Sequence, residues 1–199
     1  MHQVSAGLTD GGRVLLRPMA RDESAPLLSV FEGLSARSRE LRFLSATPAL
    51  RPSTVRALTA VDGCHHVAWL ATVDGRPVGI ARYVRVTDDT ADLAVEVIDE
   101  HHGRGVGSVL LEAVATLARA NGVTRITATV HPANRASVRL MRRFGLVLHL
   151  CDGVLEGEST LRLPEPARID RAAVLDLAVR GAVGAGGPLP CGATAASVA

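Results

Sequence analysis

Aromatic residues are scarce in this chain: one tryptophan, one tyrosine and three phenylalanines among 199 residues. With so few, and no basic stripe for them to interleave, the stacking surface of a nucleic-acid-binding domain is missing. Cysteines are equally few. Cys64, Cys151 and Cys191 stand far apart without metal-ligand spacing, so neither a disulfide framework nor a metal site is indicated, and reduced thiols are expected. No run of about eighteen uncharged apolar residues occurs. The opening MHQVSAGLTDGGRV lacks the basic region and apolar stretch of a secretory signal. A cytoplasmic protein with no membrane partner is therefore expected. A formal net charge of +2 gives no reason to expect a polyanionic surface as partner. What is present, 47% hydrophobic and 21% charged residues, suits one α/β domain with a core of its own.

Periodicity divides the chain into alternating elements. Residues 14–16 read as a short strand, and Leu27, Leu28, Val30 and Phe31 then fall at helical spacing. A second helix is read over Ala36–Phe43, and a third from a Ser53 cap through Val55, Leu58 and Val61 to Gly63. Apolar, β-branched runs at 66–73 and 78–86 flank Asp74-Gly75, a strong hairpin signal. A further strand over 91–98 places Leu93, Val95 and Val97 on one face and Asp92, Ala94 and Glu96 on the other. A helix over 108–120, a strand over 123–130, a helix from Asn134 to Gly145 and strands near 146–150 and 159–163 follow. The expected fold is α/β with a mixed, mostly antiparallel sheet flanked by helices, in one domain over 8–164. Beyond it, 165–199 forms an extension with a helix over 168–183 and a disordered end rich in glycine and small residues.

His102-Gly103-Arg104-Gly105-Val106-Gly107-Ser108 lies between a strand and a helix, where main-chain N–H groups and a helix N-terminus converge on a place for an anion. No Gly-Lys-Ser/Thr follows it, and its spacing is not the Gly-x-Gly-x-x-Gly of dinucleotide folds. At these residues the chain resembles the GNAT superfamily of N-acetyltransferases, whose signature is Gln/Arg-x-x-Gly-x-Gly/Ala, with His102 standing where Gln or Arg is usual. The resemblance covers residues 8–163 and implies that this loop binds the pyrophosphate of acetyl-CoA, without a metal. The chain is closer still to the bacterial protein-lysine acetyltransferases. The likeness lies in Leu8-Thr9-Asp10-Gly11, Leu16-Arg17-Pro18 and Leu34-Ser35-x-x-Ser38-Arg39-x-Leu41-Arg42-Phe43.

Attack on a thioester requires a neutral amine, and a lysine ammonium has a reference pKa of about 10.4, so a base must stand near the acetyl carbon. The resemblance puts that role on Asp92, ten residues before His102. Glu96, on the same strand face and nearer the loop, competes for it or binds the incoming ammonium. Both acids read equally as solvated or arginine-paired groups on a strand face. By the same resemblance Asn134 and Arg143 contact the pantetheine and phosphate parts of CoA, and a main-chain N–H within Val95 to Val97 faces the acetyl oxygen. Read from the residues alone, Asn134 is a helix cap and Arg143 a solvated cation. Where many members carry an acid-donating tyrosine this chain has Met141. Acetyl transfer from acetyl-CoA to a primary amine, first a protein lysine, is thus expected from a monomer or homodimer. A small-molecule amine as acceptor, or a non-catalytic acyl-CoA sensor, are the alternatives.

Overall fold

The structure is a computed structural model that describes residues 3–184, with side chains to residue 180. The elements run β1 (Val4–Gly7), β2 (Arg13–Pro18), α1 (Ser24–Glu32), α2 (Ala36–Phe43), α3 (Pro52–Thr59), β3 (His66–Val73), β4 (Arg76–Arg85) and β5 (Thr90–Val97). After a 3-10 turn at Asp99–His101 come α4 (Val106–Ala120), β6 (Arg125–Val130), α5 (Arg135–Arg143), β7 (Leu148–Cys151), β8 (Val154–Thr160) and α6 (Arg171–Gly184). The eight strands form one sheet in the order β1-β2-β3-β4-β5-β6-β8-β7. Only β5 and β6 pair in parallel, and α4 supplies the crossover that a parallel pair requires.

Both central faces are covered, so β3 and β4 are buried along most of their length, with Arg82 a buried charge among mostly apolar residues. Trp69, Ala71, Ala81 and Tyr83 join the main core with Val109, Leu110, Val114 and Leu117 of α4. Ala68, Leu70 and Ile80 point the other way, onto Leu27 and Val30 of α1 and Val61. Ile169 and Val174 belong to the main core as well, so the segment beyond residue 164 packs with the sheet, and α6 lies against α4, β1 and β2.

The parallel pair is brief. Its register runs Thr90↔Arg125, Ala91↔Ile126, Asp92↔Thr127 and stops there, although β5 continues to Val97 and β6 to Val130. On its other edge β5 stays bonded to β4 as far as Gly79↔Val97. The two strands therefore splay beyond Asp92 and leave one edge of 93–97 without a strand partner.

Several expectations move. β1 was not read from the sequence at all. The α3 cap lies at Arg51 with Pro52 as first helical residue and no side-chain cap, not at Ser53, because proline's fixed φ suits that position. α4 starts at Val106, and β8 begins at Val154 because Asp152-Gly153, at φ 46 and 84, makes a second tight hairpin like that of Asp74-Gly75. The helix expected over 168–183 is present as α6, and the disordered stretch expected over 184–199 lies outside the described residues beyond Gly184. Cys151 is a free, exposed thiol as expected; Cys64 is buried and is not free.

Candidate active site

Glycine sets the path of the loop after β5. Gly103 and Gly105 have φ of +75 and +95, a region that costs an L-residue roughly 1–2 kcal/mol. Gly105 then caps α4 without a side chain. Ser108 and Val109 donate to the Gly105 carbonyl at 3.0 and 3.2 Å, whereas the N–H groups of Gly103 to Gly107 make no close, well-aligned main-chain bond among the described residues. Main-chain donors at the positive end of a fifteen-residue helix give the loop a geometry suited to an anion. Gly107 serves packing: a Cβ there would lie 3.3 Å from Leu140 and 3.6 Å from Val97.

The tip of the β1–β2 hairpin braces this loop. Thr9 N–H donates to the Arg104 carbonyl at 3.0 Å, and Arg104 Nε donates to Asp10 Oδ2 at 2.5 Å with Nη1 2.6 Å from His101 Nδ1. Arg104 is thereby turned to the hairpin. The Gly12 N–H, then Arg104, holds the Asp10 carboxyl below its usual range. His102 Nε2 lies 2.7 Å from the Val97 carbonyl, so the ring carries its proton there and pins the end of β5.

Beside the loop opens a cleft of about 690 Å³, walled by the splayed edge of β5, the start of α4, α2 and α5. The serine- and arginine-rich segment singled out in the sequence forms the α2 wall. Ser35 and Ser38 hydroxyls donate to Asp99 Oδ1 at 3.0 and 2.6 Å, tying α2 to the turn after β5. Arg39 caps α1 by donating to the Phe31 carbonyl at 3.2 Å, and Arg42 reaches Glu96. On α5, Asn134 is a helix cap that accepts the Ser137 N–H at 3.1 Å, and it also lines the cleft. Arg135, Arg139 and Arg143, four residues apart and so on one helical face, line it too, with Arg168. None of these four guanidiniums has a carboxylate within 4.0 Å among the described residues. Sequence reasoning named only Arg143; the spacing would have given Arg135 and Arg139.

The two acids have different surroundings. Glu96 lines the cleft and is 7% exposed; Arg42 Nε donates to one oxygen at 2.6 Å and Arg82 Nη2 to the other at 2.7 Å. Burial pushes its carboxyl up, but Arg42 and Arg82 outweigh that and hold it below the usual range. Asp92 is four residues back on the same face, about 13 Å along an extended strand. It is half-buried, does not line the cleft, and accepts the Thr127 hydroxyl at 3.2 Å. Burial pushes its carboxyl up. The structure thus brings Glu96, Val95, Val97, the glycine loop, Asn134 and Arg143 to one cleft and leaves Asp92 outside its lining.

The sequence profile of the Acetyltransferase (GNAT) family matches residues 36–146. An acetyltransferase of Pseudomonas aeruginosa is 31% identical over 145 residues, 70% of this chain and 78% of that protein. The chain belongs to the GNAT acetyltransferase family. It is an acyl-CoA-dependent N-acetyltransferase. This acetyltransferase is also similar to acetyltransferase Pat of Mycolicibacterium smegmatis, 32% identical over 136 residues, but those span 66% of the chain and only 40% of that longer protein. The GNAT domain of S. lividans PAT superposes with a TM-score of 0.74 at 33% identity, covering 80% of this chain and 97% of that domain. A phosphinothricin acetyltransferase from Sinorhizobium meliloti, solved with AcCoA, shares the fold at a TM-score of 0.60 and 17% identity, covering 79% and 93%.

The acetyltransferase's cleft fits the anionic part of acetyl-CoA. Loop amides and unpaired guanidiniums line one cleft, and phosphate oxygens require such donors. A thiolate-protonating tyrosine is not there. Tyr83, the only one in the chain, is fully buried, donates to the Cys64 carbonyl at 2.8 Å and accepts from Asn121 at 2.5 Å; burial pushes its pKa up to about 12. Met141 is buried in the core. Among the described residues no helix is long and apolar enough to cross a membrane.

Proposed function

We propose that this enzyme acetylates the side-chain amine of a protein lysine, with Glu96 as the group that receives the ammonium and accepts its proton. Acetyl-CoA supplies the electrophile, an acetyl thioester. The observation that carries the reading is Glu96 itself, an ionised carboxylate that lines the same cleft as the glycine loop. Geometry ranks before pKa in choosing a base, and Glu96 fronts the cleft while Asp92 stands behind it. Arg42 and Arg82 each occupy one lone pair of Glu96, and a carboxylate offers about four. The remaining ones serve the ammonium.

The main-chain edge of β5 at Val95 to Val97, freed by the splay, supplies preorganised donors for the acetyl oxygen. The loop from His102 to Ser108 and Arg143 hold the phosphates, with Asn134 shaping the wall beside them. No side chain protonates the leaving thiolate. A CoA thiolate leaves readily and takes its proton from solvent, so direct transfer without an acyl-enzyme follows.

A protein lysine is favoured as acceptor by the Leu34 to Phe43 segment, which matches the protein-lysine branch and here forms the wall next to Glu96. The test is CoA thiol release from acetyl-CoA with lysine-containing proteins and a panel of small amines, alongside calorimetric cofactor binding. Turnover on proteins supports the reading. Turnover on small amines alone replaces the acceptor, and binding without turnover on any acceptor makes the chain an acyl-CoA sensor.

A further inference from the structure

Glu112 lies in the middle of α4 with its side chain wholly buried. A buried carboxylate without partners is strongly unfavourable, and its side-chain partners among the described residues all come from beyond residue 164. The Arg168 N–H donates to its two oxygens at 3.1 and 3.3 Å, and Arg171 Nε donates at 2.8 Å. Arg171 also holds Glu165 at 2.8 Å and the Pro164 carbonyl. This knot fixes the main chain of Arg168 against α4.

The Arg168 side chain then extends to the glycine loop. Its Nη2 lies 3.1 Å, and its Cζ 3.7 Å, from where a Cβ on Gly105 would stand. It lines the cleft, yet among the described residues it has neither a carboxylate within 4.0 Å nor a hydrogen-bond acceptor. Arg104, the loop's own cation, is occupied by Asp10. An unpaired guanidinium set against the main-chain donors at the α4 N-terminus calls for an anion with several oxygens, which arginine can grip with two parallel bonds.

We propose that Arg168 binds the cofactor's pyrophosphate, and that Glu112, which accepts the Arg168 N–H and is itself held by Arg171, is the positioning group that seats it. The segment that the superfamily resemblance does not cover thus completes the cofactor site. The proposal rests on the reading of the loop as an acetyl-CoA site.

The test is calorimetry on the full chain with acetyl-CoA and with its 3′-dephospho analogue. Arg168→Ala should weaken both by roughly tenfold to a hundredfold, the range for one charge-assisted contact, with Tm unchanged because the guanidinium has no protein partner to lose. Arg171→Met, which removes the cation from buried Glu112, should lower Tm, weaken binding in the wild-type background and add little to the binding loss of Arg168→Ala, a pattern that general loosening of the fold would not give. Equal affinity of wild type and Arg168→Ala overturns the proposal and leaves the acetyl-CoA reading standing. A loss confined to the 3′-phosphorylated ligand also overturns it, by moving the contact to the other phosphate. Wild-type protein that binds neither ligand overturns the reading beneath it.

Discussion

Glu96 holds Arg82 in place as much as Arg82 holds Glu96. The Arg82 side chain is 3% exposed, and its remaining bond from Nη1 goes to the Leu58 carbonyl at 2.8 Å. Glu96→Gln therefore leaves a buried cation unpaired, a change that costs about 3–5 kcal/mol, and Tm should fall clearly. If Glu96 is also the base, turnover should drop about 10²- to 10⁴-fold while acetyl-CoA still binds. Asp92→Asn should do the reverse. Burial raises the Asp92 pKa, so its ionised form at neutral pH opposes folding, and the amide should leave Tm equal or higher and turnover nearly intact. Loss of turnover in Asp92→Asn with full cofactor binding would return the base role to Asp92. The signs also set a pH dependence. The folded-state pKa of Glu96 is depressed, so its contribution to stability is complete above the unfolded value and is lost as pH falls through the folded one. Denaturant titrations from neutral to acid pH should thus show wild-type stability falling further than that of Glu96→Gln, other carboxylates being common to both.

Between elements the cleft depends on how closely β4 and β5 run together. Gly79 sits opposite Val97, and a Cβ there would stand 2.9 Å from the Glu96 carbonyl oxygen and 3.1 Å from Leu110 and Val97 side chains. Backbone cannot give way as a flexible side chain can. Gly79→Ala should cost about 1–3 kcal/mol, the usual range for overpacking, and should lower turnover by shifting the strand that carries Glu96, checked by Tm and thiol-release rates. Local signals of this scale were largely legible in the sequence. Asp74-Gly75 and the glycine loop declare themselves within a few residues, and α2 was read with its observed limits. β1 escaped because Val4–Gly7 is only four residues long, too short for its alternation to stand out. Asp152-Gly153 escaped although it is the same dipeptide, because its flanking strand Leu148–Cys151 is short and mostly exposed. The ion pairs that define the site were not readable. Arg42 and Glu96 are 54 residues apart, and Glu112 and Arg171 are 59, so nothing local joins them.

At the scale of the whole molecule, a net charge of +2 conceals how the charges are sorted. Some arginines are paired, as Arg17 with Glu23, Arg42 with Glu96 and Arg125 with Glu158, whereas Arg135, Arg139, Arg143 and Arg168 line the cleft with no carboxylate within 4.0 Å among the described residues. All 22 lysine-plus-arginine positions are arginine, and the chain contains no lysine. A guanidinium stays protonated with a pKa above about 12 and offers no lone pair at neutral pH, so it cannot attack a thioester. An enzyme proposed to acetylate lysine thus presents no ε-amine of its own to acetyl-CoA. The reactive amine left is the α-amino group, and the free, exposed thiol of Cys151 forms only a labile thioester. Intact-mass spectrometry after long incubation with acetyl-CoA, followed by hydroxylamine, should therefore find at most one added acetyl group per chain, mapping to the N-terminus. Two or more stable additions would show that some other side chain serves as acceptor. If the mass behaves as expected, every ε-acetyl-lysine detected in an acceptor assay with this chain belongs to the acceptor.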